Sequence, residues 1–280
     1  MDNPIGVMAS LRAEGASLKY VADFGLEVCQ LVCWDQDRLT PDRADRVRDE
    51  SRDLGVRMTS LWAGWPGPKV WDFEQGPTTL GLVPPEYRAK RVDALKRGAE
   101  FAHRAELPAI ATHLGFIPEN ATDPQFAEVV EAVREVAEFL AERGMEFWFE
   151  TGQETPVTML RLIRAVGTDN LGLNLDPANL ILYGRANPID SLDVFGDYVR
   201  SIHAKDGLYP TDPMKLGREV KVGQGKVRFP EFAQRLDELG YDGAYIIERE
   251  ISGEQQDRDI RATVAYLSDL LSGEPTEAQA

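Results

Sequence analysis

The chain has 280 residues, 43% hydrophobic and 28% charged, a globular balance that argues against a disordered or membrane-spanning class. Its 31 basic and 47 acidic residues give a formal charge of −16, a field that repels nucleic-acid backbones and anionic membranes but leaves room for a local pocket for one small phosphate. The length suits one (β/α)8 barrel of about 250 residues, and no apolar run approaches the ~20 residues of a bilayer span. The opening segment MDNPIGVMASLRAEG has no basic stretch leading into an apolar one, so the expectation is a cytoplasmic protein.

Short runs rich in Val, Ile, Leu and aromatics alternate with longer amphipathic runs, the pattern of βα units. In chain order the pattern predicts strand Ile5–Leu11, helix Ser17–Phe24, strand Leu26–Cys33 and helix Pro41–Leu54. Strand Val56–Leu61, helix Glu86–Ala105, strand Ala109–His113 and helix Asp123–Arg143 follow. The second half reads as strand Glu146–Glu150, helix Pro156–Val166, strand Leu171–Asp176 and helix Pro188–Phe195, then strand Tyr198–His203, helix Phe229–Leu239, strand Ala244–Glu248 and helix Gln255–Leu271. Asp123-Pro124 caps and starts one helix, and Gly55, Gly144, Gly167 and Gly240 each follow a helix end. Eight units predict a single closed parallel barrel over residues 1–272 with a frayed tail at 273–280. Cys29 and Cys33 fall on one face of the second strand about 13 Å apart, too far for a disulfide, and read as small buried hydrophobes.

Two connections exceed the ordinary ~2–6 residues: Trp62–Pro85, rich in Gly, Pro and Trp, and Gly207–Arg228. Both follow a strand and so lie on the C-terminal rim, where barrels of this kind build their active sites. Each reads as a lid or pocket wall. Trp62 and Trp65 are candidates for walling one face of a sugar, the alternative being packing under the loop. Arg218 is a candidate contact for a hydroxyl or phosphate, the alternative being a solvated loop charge.

The chemistry concentrates at the ends of the last four strands. EFWFETG ends in Glu150, GLNLDPANL reaches Asp176, RSIHAKDG carries His203, and AYIIERE carries Glu248, with Glu250 a competitor two positions on. One acid at a strand end is ordinarily solvated or capping. Four successive strand ends with acids and a histidine converge on one rim, and desolvating three carboxylates together calls for a cation. Oxygen-rich ligation with one imidazole and no thiolate suits one Mn²⁺, Mg²⁺, Co²⁺ or Zn²⁺, with Mn²⁺ favoured. Of the three histidines, His113 ends the fourth strand beside this point and is a candidate substrate contact, whereas His103 reads as ordinary helix surface or core. Lys205, two residues beyond His203 and on the same side of an extended chain, is a candidate contact for a substrate oxygen, the alternative being an ion pair with Asp206. KVGQGKVRF lacks the spacing of a phosphate-binding loop and reads as a turn before the seventh helix.

The series THLGF, FWFETGQETP, LNLDPANL, IHAKDG, GQGKVRFPEF and GYDGAYIIERE resembles the xylose isomerase-like barrel superfamily of sugar and sugar-phosphate isomerases and epimerases, which includes ketose 3-epimerases and inosose isomerases and dehydratases. The resemblance implies that Glu150, Asp176, His203 and Glu248 hold one divalent metal and that Glu150 and Glu248 form the acid/base pair. The ketose epimerases carry a histidine three residues after the sixth-strand aspartate. Here that position is Asn179, which hydrogen-bonds a hydroxyl without the same charge. Superfamily members that cut DNA hold three zinc ions with additional histidines, and their counterparts here are Asn179 and the histidine-free LGREVKVG.

The expectation is therefore a metal-dependent isomerase or epimerase of a small keto sugar, keto-inositol or sugar phosphate, with the metal chelating a carbonyl and neighbouring hydroxyl and stabilising an enediolate. A dehydratase or a lyase of 3-keto-glycosides shares the same first step, and a phosphodiesterase on abasic DNA is a remote alternative. The expected partner is a small carbohydrate, with no nucleic acid and no membrane, and a homo-oligomer is compatible.

Overall fold

The computed structural model describes residues 3–12 and 18–272; the expected frayed tail lies outside them. Eight parallel strands close into a barrel: β1 (Ile5–Ser10), β2 (Val28–Cys33), β3 (Arg57–Ala63), β4 (Ala109–His113), β5 (Glu146–Glu150), β6 (Leu171–Leu175), β7 (Val199–Ala204) and β10 (Ala244–Ile247). Closure comes from β1, which pairs with both β2 and β10. Two short strands, β8 (Asp206–Leu208) and β9 (Arg218–Val220), form an antiparallel hairpin outside the barrel.

The major helices are α1 (Leu18–Asp23), α2 (Pro41–Leu54), α4 (Pro85–Arg104), α5 (Pro124–Ala141), α6 (Pro156–Val166), α8 (Pro188–Phe195), α9 (Phe229–Glu238) and α10 (Glu254–Ser272). Two short helices, α3 (Gly76–Thr79) and α7 (Pro177–Leu182), were not expected from the sequence pattern. Each lies directly beside the rim, and neither is long enough to show an apolar period. The strong helices end as their residues dictate. Asp123 accepts from the Gln125 N–H at the start of α5, Thr155 accepts from the Thr158 N–H at the start of α6, and Gly55 and Gly167 close α2 and α6 in the left-handed conformation.

Strand alternation divides the strand residues between two environments. Outward residues such as Ala9, Cys29, Leu31, Ile110, Phe147, Phe149, Leu173, Ile202 and Tyr245 join the main core against the helices. Both cysteines are on this outer side, buried and free. The inward set is smaller and becomes polar toward the rim: Met8, Val28 and Ile246 pack at one level, with Gln30, Ser60, Asn174 and His203 buried above them. An irregularity between Cys29 and Leu31 gives β3 an extra residue against β2, which turns Ser60 and Trp62 inward. Among the described residues no helix is long and apolar enough to cross a membrane.

Candidate active site

Glu150, Asp176, His203 and Glu248 each offer a ligand atom at the rim, all within 4.8 Å of one another. The inward parity of β5, β6, β7 and β10 places them there: Glu150 ends β5, Asp176 follows β6, His203 lies in β7 and Glu248 follows β10. Asp176 also begins α7, its Oδ1 accepting from the Asn179 N–H at 2.8 Å, so the side chain is locked by a helix start.

His203 shows what the cluster is built for. Its Nε2 lies 2.7 Å from Gln30 Oε1 and 2.9 Å from Asn174 Nδ2, and when it donates to Gln30 the lone pair of the neutral ring is on Nδ1. Nδ1 then faces three carboxylates: Glu248 Oε2 at 3.2 Å, Glu150 Oε1 at 3.5 Å and Asp176 Oδ2 at 3.7 Å. Both Nδ1 and Asp176 Oδ2 are buried without a hydrogen-bond partner. Orphaned buried atoms of this type are costly unless something binds them, and a hard oxygen-rich set with an oriented imidazole fits one divalent cation. Gln30 is itself held by Ser60 Oγ at 2.8 Å and Asn174 Oδ1 at 3.2 Å. Burial works against a charge on His203, but Glu150 and Glu248 outweigh it and raise its pKa well above the ordinary value. A proton in the metal-free chain thus answers the same field as a cation.

Glu150 is gripped by neutral donors and a histidine. Trp62 Nε1–H donates to Oε2, Asn179 Nδ2–H donates to Oε1 at 3.1 Å, and His113 Nε2 lies 3.2 Å from Oε1. The other nitrogen of His113 faces the Glu150 carbonyl at 3.2 Å, so protonated His113 serves both acceptors. Burial pushes the Glu150 pKa up, yet His113 and His203 overcome it and hold the carboxyl well below the usual range.

Glu248 is held differently. Lys205 Nζ lies 3.1 Å from Glu248 Oε2, 3.1 Å from Glu250 Oε2 and 3.5 Å from Asp176 Oδ2. Burial opposes ionisation of Glu248, but Lys205 and then His203 bring its pKa to about 2. Glu248 belongs to the cluster that could hold a metal ion, whereas Glu250 sits farther out with its side chain 59% exposed. Asp206 does not pair with Lys205. It points the opposite way, its carboxylate accepting from the backbone N–H groups of Gly207, Gly223, Gly225 and Val227 at 2.8–3.1 Å. The glycine-rich loop therefore closes around an anion of the chain itself, and a Cβ on Gly225 would fall 2.0 Å from Asp206 Oδ1.

A cavity of about 240 Å³ opens over Glu150 and Glu248, the scale of a small molecule. Trp62, His113 and Asn179 line it, together with Trp34, Trp71, Tyr183 and Leu216. Lys205 lies beneath, reached through its carboxylate partners. Trp65 is not in the lining. It is buried behind Trp34 and Trp71, and Arg91 lies over its ring. Arg218 is exposed in β9, beside Glu219 and Arg249 rather than the cavity. The long third connection is fixed by arginines of α4: Arg91 donates to the carbonyls of Pro66, Pro68 and Gly81, and Arg88 to those of Leu82 and Val83. Sequence reasoning missed Trp34, which directly follows β2 and could have been found as an aromatic at a strand end. It also missed Trp71 and Tyr183, whose roles depend on how loops fold back.

Over residues 18–270 the chain matches the model of the xylose isomerase-like TIM-barrel family. A xylose isomerase domain protein from Planctomyces limnophilus superposes with a TM-score of 0.91 at 35% identity, covering 96% of this chain and 97% of that one. A D-tagatose 3-epimerase-like protein superposes with a TM-score of 0.72 at 20% identity, covering 96% and 99%, a likeness of fold. Among curated proteins, inosose dehydratase of Lacticaseibacillus casei is 25% identical over 145 residues, 46% of this chain and 48% of that protein. The alignments take in 48–57% of the curated relatives' own length.

Proposed function

Because the chain belongs to the xylose isomerase-like TIM-barrel family, we propose that it is a metal-dependent isomerase or epimerase of a small keto sugar or keto-inositol, with one divalent ion held by Glu150, Asp176, His203 and Glu248. The observation that carries this reading is the convergence of two orphaned buried atoms, His203 Nδ1 and Asp176 Oδ2, with the oxygens of both glutamates. A bound divalent ion supplies Lewis-acid stabilisation of an enediolate, the charge that develops when a proton leaves the carbon beside a carbonyl.

The chain's own residues do the rest. Glu150 and Glu248 both line the cavity and come from β5 and β10, on either side of the β6 and β7 ligands, so each handles a proton on one face of the substrate. Asn179 and His113 fix the Glu150 carboxylate and reach the cavity beside it. Trp34, Trp62 and Trp71 exclude water and offer ring faces to C–H surfaces.

The dehydratase reading has one observation in its favour. Tyr183 lines the same wall, and its hydroxyl, buried beside Gln153 and kept protonated by that burial, becomes a donor to a leaving oxygen if the substrate displaces what covers it. Elemental analysis is expected to give near one equivalent of divalent metal, falling sharply in Asp176→Ala; two or three tightly bound ions overturn the single-site model. NMR of keto sugars in D₂O then separates the reactions, since isomerisation leaves only deuterium exchange whereas elimination releases water or an aglycone.

A further inference from the structure

We propose that Gln30, inside the barrel, is a positioning residue that selects the tautomer of His203: its carboxamide oxygen holds Nε2–H and so turns the Nδ1 lone pair toward the three carboxylates. Asn174 offers the same nitrogen the opposite hydrogen bond, one that puts the ring proton on Nδ1 and excludes a cation. The proposal rests on the single-metal reading above and adds to it two residues that are not ligands.

Donor arithmetic is the first argument. Gln30, Ser60, Asn174 and His203 are each fully enclosed, at 0% exposure, so their polar atoms depend on one another. The Gln30 amide has two N–H bonds, and both are spent: Nε2 donates to Ser60 Oγ at 2.8 Å and to Asn174 Oδ1 at 3.2 Å. Turning Gln30 over alone would set its oxygen against that of Asn174. Its Oε1 is therefore the atom that meets His203 Nε2, at 2.7 Å. The same bond fixes Asn174 the other way round, with Oδ1 on Gln30 and Nδ2 facing His203 Nε2 at 2.9 Å.

His203 Nε2 thus stands between one acceptor and one donor, and a neutral ring satisfies only one of them. With Nε2 protonated, Gln30 is served and Nδ1 is free to act as a ligand. With Nε2 bare, Asn174 is served, the proton moves to Nδ1, and two acceptors face each other across the 2.7 Å contact with Gln30. That repulsion decides for Gln30. No rotation of the ring is needed to pass between the two forms, so the outcome depends on which amide holds Nε2.

The test uses the full-length protein and two readouts, Mn²⁺ affinity by electron paramagnetic resonance of the free ion and ¹⁵N NMR of the Zn²⁺-loaded form. Three histidines in the chain keep the spectrum simple. In the parent, protonated His203 Nε2 is expected to show a coupling across its hydrogen bond to the side-chain carbonyl carbon of Gln30. Gln30→Met is expected to weaken Mn²⁺ binding about 10- to 100-fold, whereas Asn174→Leu, which removes the competing donor, changes it by less than about threefold. Gln30→Met combined with Asn174→Asp gives Nε2–H a new acceptor and should regain most of the loss. A coupling to Asn174 instead, or a loss in Asn174→Leu as large as in Gln30→Met, overturns the proposal. A loss in Gln30→Met that Asn174→Asp leaves unrepaired reduces Gln30 to packing and overturns it too. Should Gln30→Met fail to fold, the coupling in the parent and the affinity of Asn174→Leu decide. A parent that binds neither ion defeats the single-metal reading itself.

Discussion

The two halves of the rim hold chemically identical carboxylates by different means. On the β3–β6 side Glu150 is gripped by an indole N–H, a carboxamide and a histidine, inside packed aromatic rings. On the β7–β10 side Glu248 is balanced by a buried ammonium that it shares with Glu250 and Asp176. Donors with fixed directions specify where a carboxylate sits. A shared charge sets how strongly it is ionised and leaves its orientation freer. The first half is thus suited to placing a ligand and the second to tuning one.

The largest expected effect comes from neutralising each glutamate. Glu150→Gln and Glu248→Gln should each lose roughly 10² to 10⁴ in turnover. Glu150→Gln should be the worse, because the new amide N–H₂ faces positions already supplied with donors by Trp62, Asn179 and His113. Metal content, turnover and α-proton exchange should be measured together. Parent-like exchange by metal-loaded forms of both variants moves the bases elsewhere, with His113 and Lys205 next in line.

The aromatic packing of the first half should divide by depth. Trp65→Ala is expected to cost about 3–5 kcal/mol of stability, because Trp65 is fully buried beneath its neighbours, with little change in KM for the molecules that still fold. Trp71→Ala, at 39% exposure and in the cavity wall, should raise KM with a small change in Tm. The reverse pattern in melting curves and kinetics places the substrate wall at Trp65 after all.

A sharper contrast comes from removing one holding group per side. Lys205 is the leading charge that depresses the Glu248 pKa, so in Lys205→Met the acid limb of the turnover profile should move to higher pH. Trp62→Phe removes one N–H from Glu150 but leaves His113 and His203, which hold its pKa down. It should lose about tenfold in turnover without moving that limb. Equal shifts in both variants contradict the distinction between placing and tuning.

The smallest effect tests an exception inside the first half. Burial pushes Glu154, just after β5, from the ordinary 4.5 up to about 7. The folded chain therefore keeps a proton that the unfolded chain has released, and this contribution to stability is lost as pH rises from about 4.5 through about 7. Glu154→Gln has no such proton to lose, so its Tm relative to the parent should climb by a few degrees across that window. A difference that stays flat with pH shows that Glu154 is not titrating there.

The barrel was legible because buried strands write themselves as apolar runs, and the predicted β4 and β5 limits coincide with the structure. The meeting of Glu150, Asp176, His203 and Glu248 at one point was legible for the same reason, since each closes such a run where the chain meets the rim. Gln30 and Asn174 were not, because one polar residue inside an apolar strand carries no sign that it orients a histidine 29 or 173 positions away. The hairpin β8–β9 was read as an open loop. Its strands are three residues each, too short to show alternation, and Arg218, the first residue of β9, lies beside Glu219 and Arg249 away from the cavity.

The closure of the Gly223–Val227 segment around Asp206 works as a buckle between the end of β7 and the start of α9. It divides the seventh connection into two stretches with unequal freedom to diverge. The spacing from Gly223 to Val227 is dictated by three N–H groups that must meet one carboxylate, so an inserted residue there opens the buckle and frees the hairpin that carries Leu216 to the cavity wall. The hairpin tip between Leu208 and Arg218 has no such constraint from the carboxylate. Insertions or exchanged sequences belong at that tip, where a lineage or a designer can reshape the cavity mouth while the ligand cluster below keeps its geometry.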